Sequence, residues 1–187
     1  GRPAAGCDNS LLEAKAPAKV NLFLRILARE ESGFHQLETL FCALDLADDL
    51  TMRVAGAGVH LTLEGPPLGP VEDNLVHRAC RAFLREAGLQ EGVEVFLRKS
   101  IPPGAGLGGG SSNAASALRT LSSLFPGALT EEKLLNLAVR LGSDVPFFIA
   151  GSPLTLAWGR GERMLPLPPL PAVPVVVALP PFRISPP

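Results

Sequence analysis

The sequence predicts an α+β fold, in which strands dominate the first hundred residues and helices follow them. The first observation is that apolar residues alternate with polar ones in several short early segments, which is typical of strands. The second is that later segments repeat apolar residues every three to four positions, which is typical of amphipathic helices. The chain of 187 residues is 47% hydrophobic, which is enough to bury a core.

The first strand is predicted over 18–27, where Ala18 and Val20 alternate with Lys19 and Asn21. This alternation places Lys19 and Asn21 side by side on the polar face of the strand. The same criteria predict the remaining strands over 36–44, 49–55, 58–64, 93–98, 153–158 and 173–179. An apolar run at 145–148 also has the character of a strand.

Three helices are predicted between these strands. The first is capped by Asp73 or Asn74 and ends at Gly88. The second follows the glycine-rich segment 104–110 and is stopped by a Pro-Gly pair at 126–127. The third begins after Thr130 and ends at Gly142, since a threonine before two glutamates is a common helix start.

Composition limits the class of partner. A net charge of −1 provides no broad positive field for nucleic acid or an anionic membrane. The three cysteines are odd in number and widely spaced, which argues against a disulfide framework or a zinc site. The longest aliphatic run, 173–179, is too short to cross a bilayer. We therefore expect a soluble cytoplasmic protein that binds a small molecule, with no nucleic-acid or membrane partner.

The glycine-rich segment 104–110 predicts a phosphate site, because it lies between a strand and a helix start that offers free N–H groups. Two familiar phosphate motifs fail here. Gly104, Gly106 and Gly109 fit the dinucleotide fingerprint, but the acidic residue that should end the next strand is replaced by a helix start at 129–132. Gly110 stands where a P-loop would have its lysine. A flexible linker is the remaining alternative.

A glycine loop without its own lysine needs a cation from elsewhere, and Lys19 is the candidate. Asp144 precedes an apolar segment, so its carboxylate would be partly buried and would need a partner. A lysine and an aspartate beside a γ-phosphate are what phosphorylation of a hydroxyl group requires. Two simpler interpretations stay open: Asp144 as a helix or turn cap, and Lys19 as a solvated side chain.

The segment "PPGAGLGGGSSNAA" resembles the phosphate loop of the GHMP kinases. The stretches "APAKVNLFLRIL", "GFHQLETLFCALDLADDL", "DNLVHRA" and "LGSDVPFFIAGSPLTLAWGRGERMLPL" extend the resemblance over nearly all of 14–180. The resemblance implies an N-terminal GHMP domain with a left-handed βαβ crossover. It also implies ATP-dependent phosphorylation of the 2-hydroxyl of 4-diphosphocytidyl-2-C-methyl-D-erythritol, a step of isoprenoid precursor synthesis.

The resemblance assigns roles to individual residues. Lys19 and Asp144 fall on the catalytic pair, and Asn21, Phe34, His35 and Asp144 fall on positions that contact the substrate. Phe34 replaces the tyrosine usual in the family, so stacking on cytosine is kept and the phenol hydrogen bond is lost. The ATP loop comprises Pro102, Pro103, Gly104, Ala105, Gly106, Leu107, Gly108, Gly109, Gly110, Ser111 and Ser112.

Mg²⁺ is expected to bind together with ATP. The hydroxyl of Ser111 or of Ser112 is the candidate protein ligand for this ion.

The expected domains are the GHMP N-terminal domain over 14–165 and a proline-rich junction over 166–187 that starts a shortened C-terminal domain. We expect the 187-residue chain to fold, self-associate, bind ATP weakly and show little kinase activity. The alternatives are another GHMP small-molecule kinase and a nucleotide-binding module without turnover.

Overall fold

The computed structural model describes residues 11–29, 35–159, 161 and 163–179. Within these residues one six-stranded sheet and four α-helices form an α+β fold, as predicted. The strands are β1 (Leu12–Arg29), β2 (His35–Ala55), β3 (Val59–Glu64), β4 (Gly92–Arg98), β5 (Leu154–Gly159) and β6 (Arg163–Pro166). The helices are α1 (Leu75–Ala87), α2 (Gly109–Leu124), α3 (Glu131–Leu141) and α4 (Val145–Ala150).

The long strand β2 organises the sheet, whose order is β3-β4-β2-β5-β6 with β1 paired to β2. One part of β2, 49–55, pairs with β4, and another part, 37–42, pairs with β5. Strand β1 runs antiparallel to β2 over most of its length. Strands β3 and β4 are parallel neighbours joined through α1, which is the predicted βαβ crossover.

Helix boundaries follow the predicted caps. The side chain of Asn74 accepts a hydrogen bond from the N–H of Val76 at 2.9 Å, and Gly88 ends α1 in the left-handed conformation. Thr130 caps α3 by accepting from the N–H of Lys133 at 3.3 Å. The apolar faces of the helices pack on the sheet in one core, whose largest fully buried side chains include Phe83, Phe147, Leu50, Met52, Leu118 and Leu121.

Three secondary-structure predictions were wrong, and one strand was missed. The segments 36–44 and 49–55 are one continuous strand, β2, and β6 was not foreseen. The run 145–148 belongs to helix α4, where a proline in the first turn suits a helix start. The segment 173–179 is not a strand, since it pairs with none of the described strands and its valines are exposed.

Among the described residues no helix combines the length and apolar character needed to cross a membrane.

Candidate functional site

The glycine-rich loop joins β4 to α2 and folds through three residues with positive φ. Gly104, Gly106 and Gly108 have φ of 72°, 73° and 70°, a conformation that side chains disfavour. Gly108 is also the N-cap of α2, so the helix begins at Gly109, two residues before the predicted start at Ser111. The glycines are therefore required by the path of the loop, which excludes the linker interpretation.

The loop surrounds a cavity of about 450 Å³ with free backbone donors. Residues 102–111 all line this cavity, together with Lys99 and Asp144. None of the N–H groups of residues 104–111 donates a hydrogen bond to any residue that the structure describes. Converging free N–H groups at a helix start form an anion site.

A small apolar cluster holds the loop against β1. Ala18, Ile101 and Leu107 are buried together, and Val20 packs against them. The N–H of Lys19 donates to the carbonyl of Leu107 at 2.9 Å. Strand β1 thus carries Lys19 to the loop through backbone contact as well as packing.

We expect Gly108→Ala to lower the free energy of unfolding by more than Gly104→Ala. Both variants would place a side chain at positive φ, which costs about 1–2 kcal/mol. Only at Gly108 would the new Cβ also be crowded, lying 3.0 Å from Cγ of Lys19 and 3.1 Å from the ring of Phe148. Urea denaturation of the two variants measures the difference. Equal losses would contradict close packing of the loop on Lys19.

Lys19 is buried beside the glycine loop, so the interpretation of a solvated side chain is wrong. Its side chain is 8% exposed. Its ammonium donates to Oδ1 of Asn21 at 2.6 Å and lies 5.3 Å from the ring centroid of Phe41. A buried ammonium needs such partners, and a third one is the carboxylate of Asp144, with Oδ2 3.5 Å from Nζ.

Asp144 occupies the N-cap position of α4, but its side chain makes no capping hydrogen bond. Its carboxylate is 28% exposed and lines the glycine-loop cavity. Asp144 therefore stands at a cap position, but its carboxylate does not act as a helix cap. The structure brings the predicted pair, Lys19 and Asp144, together beside the anion site.

Asn21 orients the lysine through a relay that ends on the backbone. The Nδ2 group of Asn21 donates to Oγ1 of Thr39 at 2.6 Å, and that hydroxyl donates to the carbonyl of Phe23 at 2.8 Å. Sequence reasoning missed Thr39, since a threonine in a strand carries no distinguishing signal. Contact between Asn21 and a substrate stays a prediction.

A buried polar cluster under the loop was also missed. Lys99 forms an ion pair with Asp48, and both side chains are almost fully buried. Asn113, in the first turns of α2, accepts from Nζ of Lys99 at 2.9 Å and donates to Oδ2 of Asp48 at 2.8 Å. Oδ1 of Asp48 accepts from the N–H groups of Ser100 and Ile101 at 2.6 and 2.8 Å. The cluster joins β2, the start of the loop and α2.

The structure separates the two serines proposed as metal contacts. Ser111 lines the glycine-loop cavity. Ser112 is almost fully buried and lines a different cavity, of about 830 Å³, between α2 and β1. Of the two serines, only Ser111 lines the phosphate cavity.

Two predicted substrate contacts fall outside what the structure describes. Phe34 lies outside the described residues. The backbone of His35 opens β2 opposite Arg29, and its side chain is likewise outside the description. Their contact with cytosine stays a prediction.

Of the cysteines, Cys42 and Cys80 are within the described residues, and neither lines the glycine-loop cavity. Burial raises the pKa of the Cys80 thiol to about 12. A thiol with that pKa is protonated at neutral pH and does not act as a nucleophile.

Residues 74–152 match the family model described as the GHMP kinases N-terminal domain. The chain has the fold of the GHMP kinases N-terminal domain. The match begins at the cap of α1 and ends just after α4, so it includes the glycine loop and Asp144. Lys19 lies before the matched region and joins the site through the pairing of β1 with β2.

Curated relatives are similar in sequence to most of this chain, including the part before residue 74. A 4-diphosphocytidyl-2-C-methyl-D-erythritol kinase of Thermus thermophilus is 47% identical over 92% of this chain and 59% of its own length. The kinase of the same name from Pelotomaculum thermopropionicum is 41% identical over 94% of this chain and 61% of its own length. The chain therefore spans about three fifths of these relatives.

Solved structures agree with this assignment. A crystal structure of 4-(cytidine 5'-diphospho)-2C-methyl-D-erythritol kinase matches with a TM-score of 0.73 and 46% identity, over 83% of this chain and 55% of that one. A mevalonate kinase of Methanococcus jannaschii matches with a TM-score of 0.61 at 15% identity, over 86% of this chain and 57% of that one. The second match shows a shared fold alone.

Proposed function

We propose that the protein transfers the γ-phosphoryl group of ATP to the 2-hydroxyl of 4-diphosphocytidyl-2-C-methyl-D-erythritol, in the cytoplasm. The observation that carries the proposal is the carboxylate of Asp144, which makes no capping bond and lies 3.5 Å from the buried ammonium of Lys19. Asp144 lines the glycine-loop cavity, and the N–H groups of the loop residues 104–111 donate to none of the described residues. The names of relatives at 41–47% identity support the choice of substrate.

In the proposed reaction the loop N–H groups hold the phosphates of ATP, in place of the lysine that a P-loop would use. Asp144 accepts the proton of the substrate hydroxyl as its oxygen forms a bond to the γ-phosphorus. The bond from the γ-phosphorus to the bridging oxygen breaks, and ADP leaves with that electron pair. Lys19 offsets the charge on the transferred group, and Asn21 and Thr39 hold the ammonium in place.

The oxygen donors around the cavity fit a magnesium ion that arrives with ATP. Mg²⁺ in kinases is held mainly by phosphates and water, with one or two protein oxygens. The described residues contain no group of three or more acidic, histidine or cysteine side chains placed to hold a metal ion, but Ser111 and Asp144 both line the cavity. Such an ion would offset negative charge on the phosphates of ATP.

The proposal is tested by incubating the full-length gene product with ATP and each of four alcohols: 4-diphosphocytidyl-2-C-methyl-D-erythritol, homoserine, mevalonate and galactose. Mass spectrometry should detect a phosphorylated product from the first alone. Turnover of another alcohol instead would identify a different GHMP kinase. Binding of ATP without any product would favour a nucleotide-binding module.

We expect Phe34→Ala to weaken cytidine diphosphate binding by about 1–3 kcal/mol, the range for stacking of a base on an aromatic side chain. ATP affinity should be unchanged, because the glycine loop holds the phosphates of that nucleotide. Isothermal titration calorimetry with each nucleotide measures both values. Equal losses for the two ligands would instead indicate a folding defect.

We also propose that the described chain self-associates. Strand β1 leaves Leu22, Leu24 and Ile26 exposed, and Val176 is 95% exposed in the segment 173–179. Exposed apolar surface of this kind favours association. Sedimentation velocity of the 187-residue chain should show species larger than a monomer that grow with concentration, and a single monomeric boundary at all concentrations would contradict this.

A further inference from the structure

A second cavity lies on the face of the domain formed by α1, α3 and the start of β3. Its volume is about 580 Å³. It shares no lining residue with the glycine-loop cavity, so the two are separate. Nothing in the proposed phosphoryl transfer uses this face.

Arginines dominate the charge around this cavity. Helix α1 contributes Arg78, Arg81 and Arg85, and α3 contributes Arg140. The spacing of three and four positions on α1 places its arginines near one another, where like charges repel. None of these three forms an ion pair with a residue in the described part of the chain, and Arg140 is 3.8 Å from Glu86.

The acidic residues at the cavity do not neutralise this cluster. Glu72 and Glu91 line it, so the lining carries four arginines against two glutamates. Neither glutamate pairs with one of those arginines within the described ranges. Guanidinium groups that are fully charged and unpaired present the forked donors that suit phosphate oxygens.

A buried histidine gives a second, independent observation. His77 lines the cavity from α1 and is 9% exposed. Its Nδ1 is buried and has no hydrogen-bond partner among the described residues. Buried polar groups in folded proteins are nearly always hydrogen-bonded, so a histidine that lines the cavity and has an unpartnered ring nitrogen is exceptional.

We propose that this cavity binds an organic phosphate, with the phosphate held between the arginines and the apolar part packed on the cavity floor. The floor is apolar, since Leu89, Leu137 and Leu141 also line the cavity. An arginine rim over an aliphatic floor suits a molecule with a charged group and an apolar part better than inorganic phosphate alone. The site is distinct from the ATP loop and does not depend on catalysis.

The test uses phenyl phosphate as the probe, in the presence of a saturating non-hydrolysable ATP analogue that occupies the glycine loop. Arg81→Gln combined with Arg85→Gln should weaken phenyl phosphate binding at least tenfold, with the affinity for the analogue unchanged. The matched control is Arg53→Gln combined with Arg98→Gln, which removes the same charge from arginines that lie outside the cavity lining. The control should bind phenyl phosphate as the parent protein does.

Nuclear magnetic resonance of the histidine rings provides the second readout. Phenyl phosphate should shift the ring signals of His77 and leave those of His60, which is exposed and hydrogen-bonded to Ala57, unchanged. Inorganic phosphate should produce the same shift at concentrations several-fold higher. Absence of binding, or equal weakening in both double variants, would overturn the proposal.

Discussion

Asp144→Asn should lower kcat about 10²–10⁴-fold while leaving ATP affinity nearly unchanged. Asparagine keeps the size of the side chain and removes its ability to accept a proton. The wild-type carboxylate lies on the cavity wall and makes no capping hydrogen bond, so the substitution removes chemistry rather than a helix cap. Steady-state kinetics of the full-length gene product, with ATP affinity measured separately, checks both expectations.

Asp45→Asn is the matched control, because Asp45 is exposed and does not line the glycine-loop cavity. Its kcat should stay within a factor of two of the parent value (an order-of-magnitude expectation for a surface change). Near-normal turnover by Asp144→Asn would show that this residue is only structural.

Lys19→Ala should also reduce mainly kcat, since the ammonium of Lys19 offsets charge that develops in the transition state.

Asp48→Asn should lower the free energy of unfolding by about 3–5 kcal/mol, the cost of removing one partner from a buried ion pair. The substitution leaves the ammonium of Lys99 buried without its counter-charge. The new amide would also direct its donors at Lys99 or Asn113, both of which now donate to the Asp48 carboxylate. Urea denaturation followed by circular dichroism measures the loss.

Asp49, the residue next to Asp48, provides the control variant for this prediction. Asp49 pairs with Lys15 at the surface, where the Lys15 side chain is exposed and that of Asp49 is 37% exposed. Asp49→Asn makes the same chemical change at the next position and should cost about 1 kcal/mol or less. Similar losses for the two variants would mean that the Asp48 cluster does not stabilise the fold as its burial indicates.

The glycine loop could be predicted from sequence because its signal is local. Positive φ at Gly104, Gly106 and Gly108 requires glycine, and the helix that follows is visible in the apolar spacing of α2. The same holds for the caps at Asn74 and Thr130, which act within three residues of themselves. Structural features that depend only on residues close together in the sequence can be predicted from a single sequence.

The pair of Lys19 and Asp144 could be predicted only in part from the sequence. Each residue was identified from its own surroundings and from the family resemblance, but their separation of 3.5 Å depends on packing between distant elements. Strand β1 reaches the loop through the bond from Lys19 to Leu107, and α4 brings Asp144 to the same cavity. The helical conformation of α4 was itself mispredicted, since its apolar run is too short to distinguish helix from strand.

By itself, the sequence determined the α+β class, the phosphate loop, the helix caps and the candidate catalytic pair of this protein. Only the tertiary structure decided that Asp48, Lys99 and Asn113 form one buried cluster, that Ser111 rather than Ser112 lines the phosphate cavity, and that His77 lies in an arginine-rich cavity. The physical reason is that burial and pairing are set by residues far apart in the chain, such as Asp48 and Asn113. No local pattern of spacing or propensity encodes which of them meet.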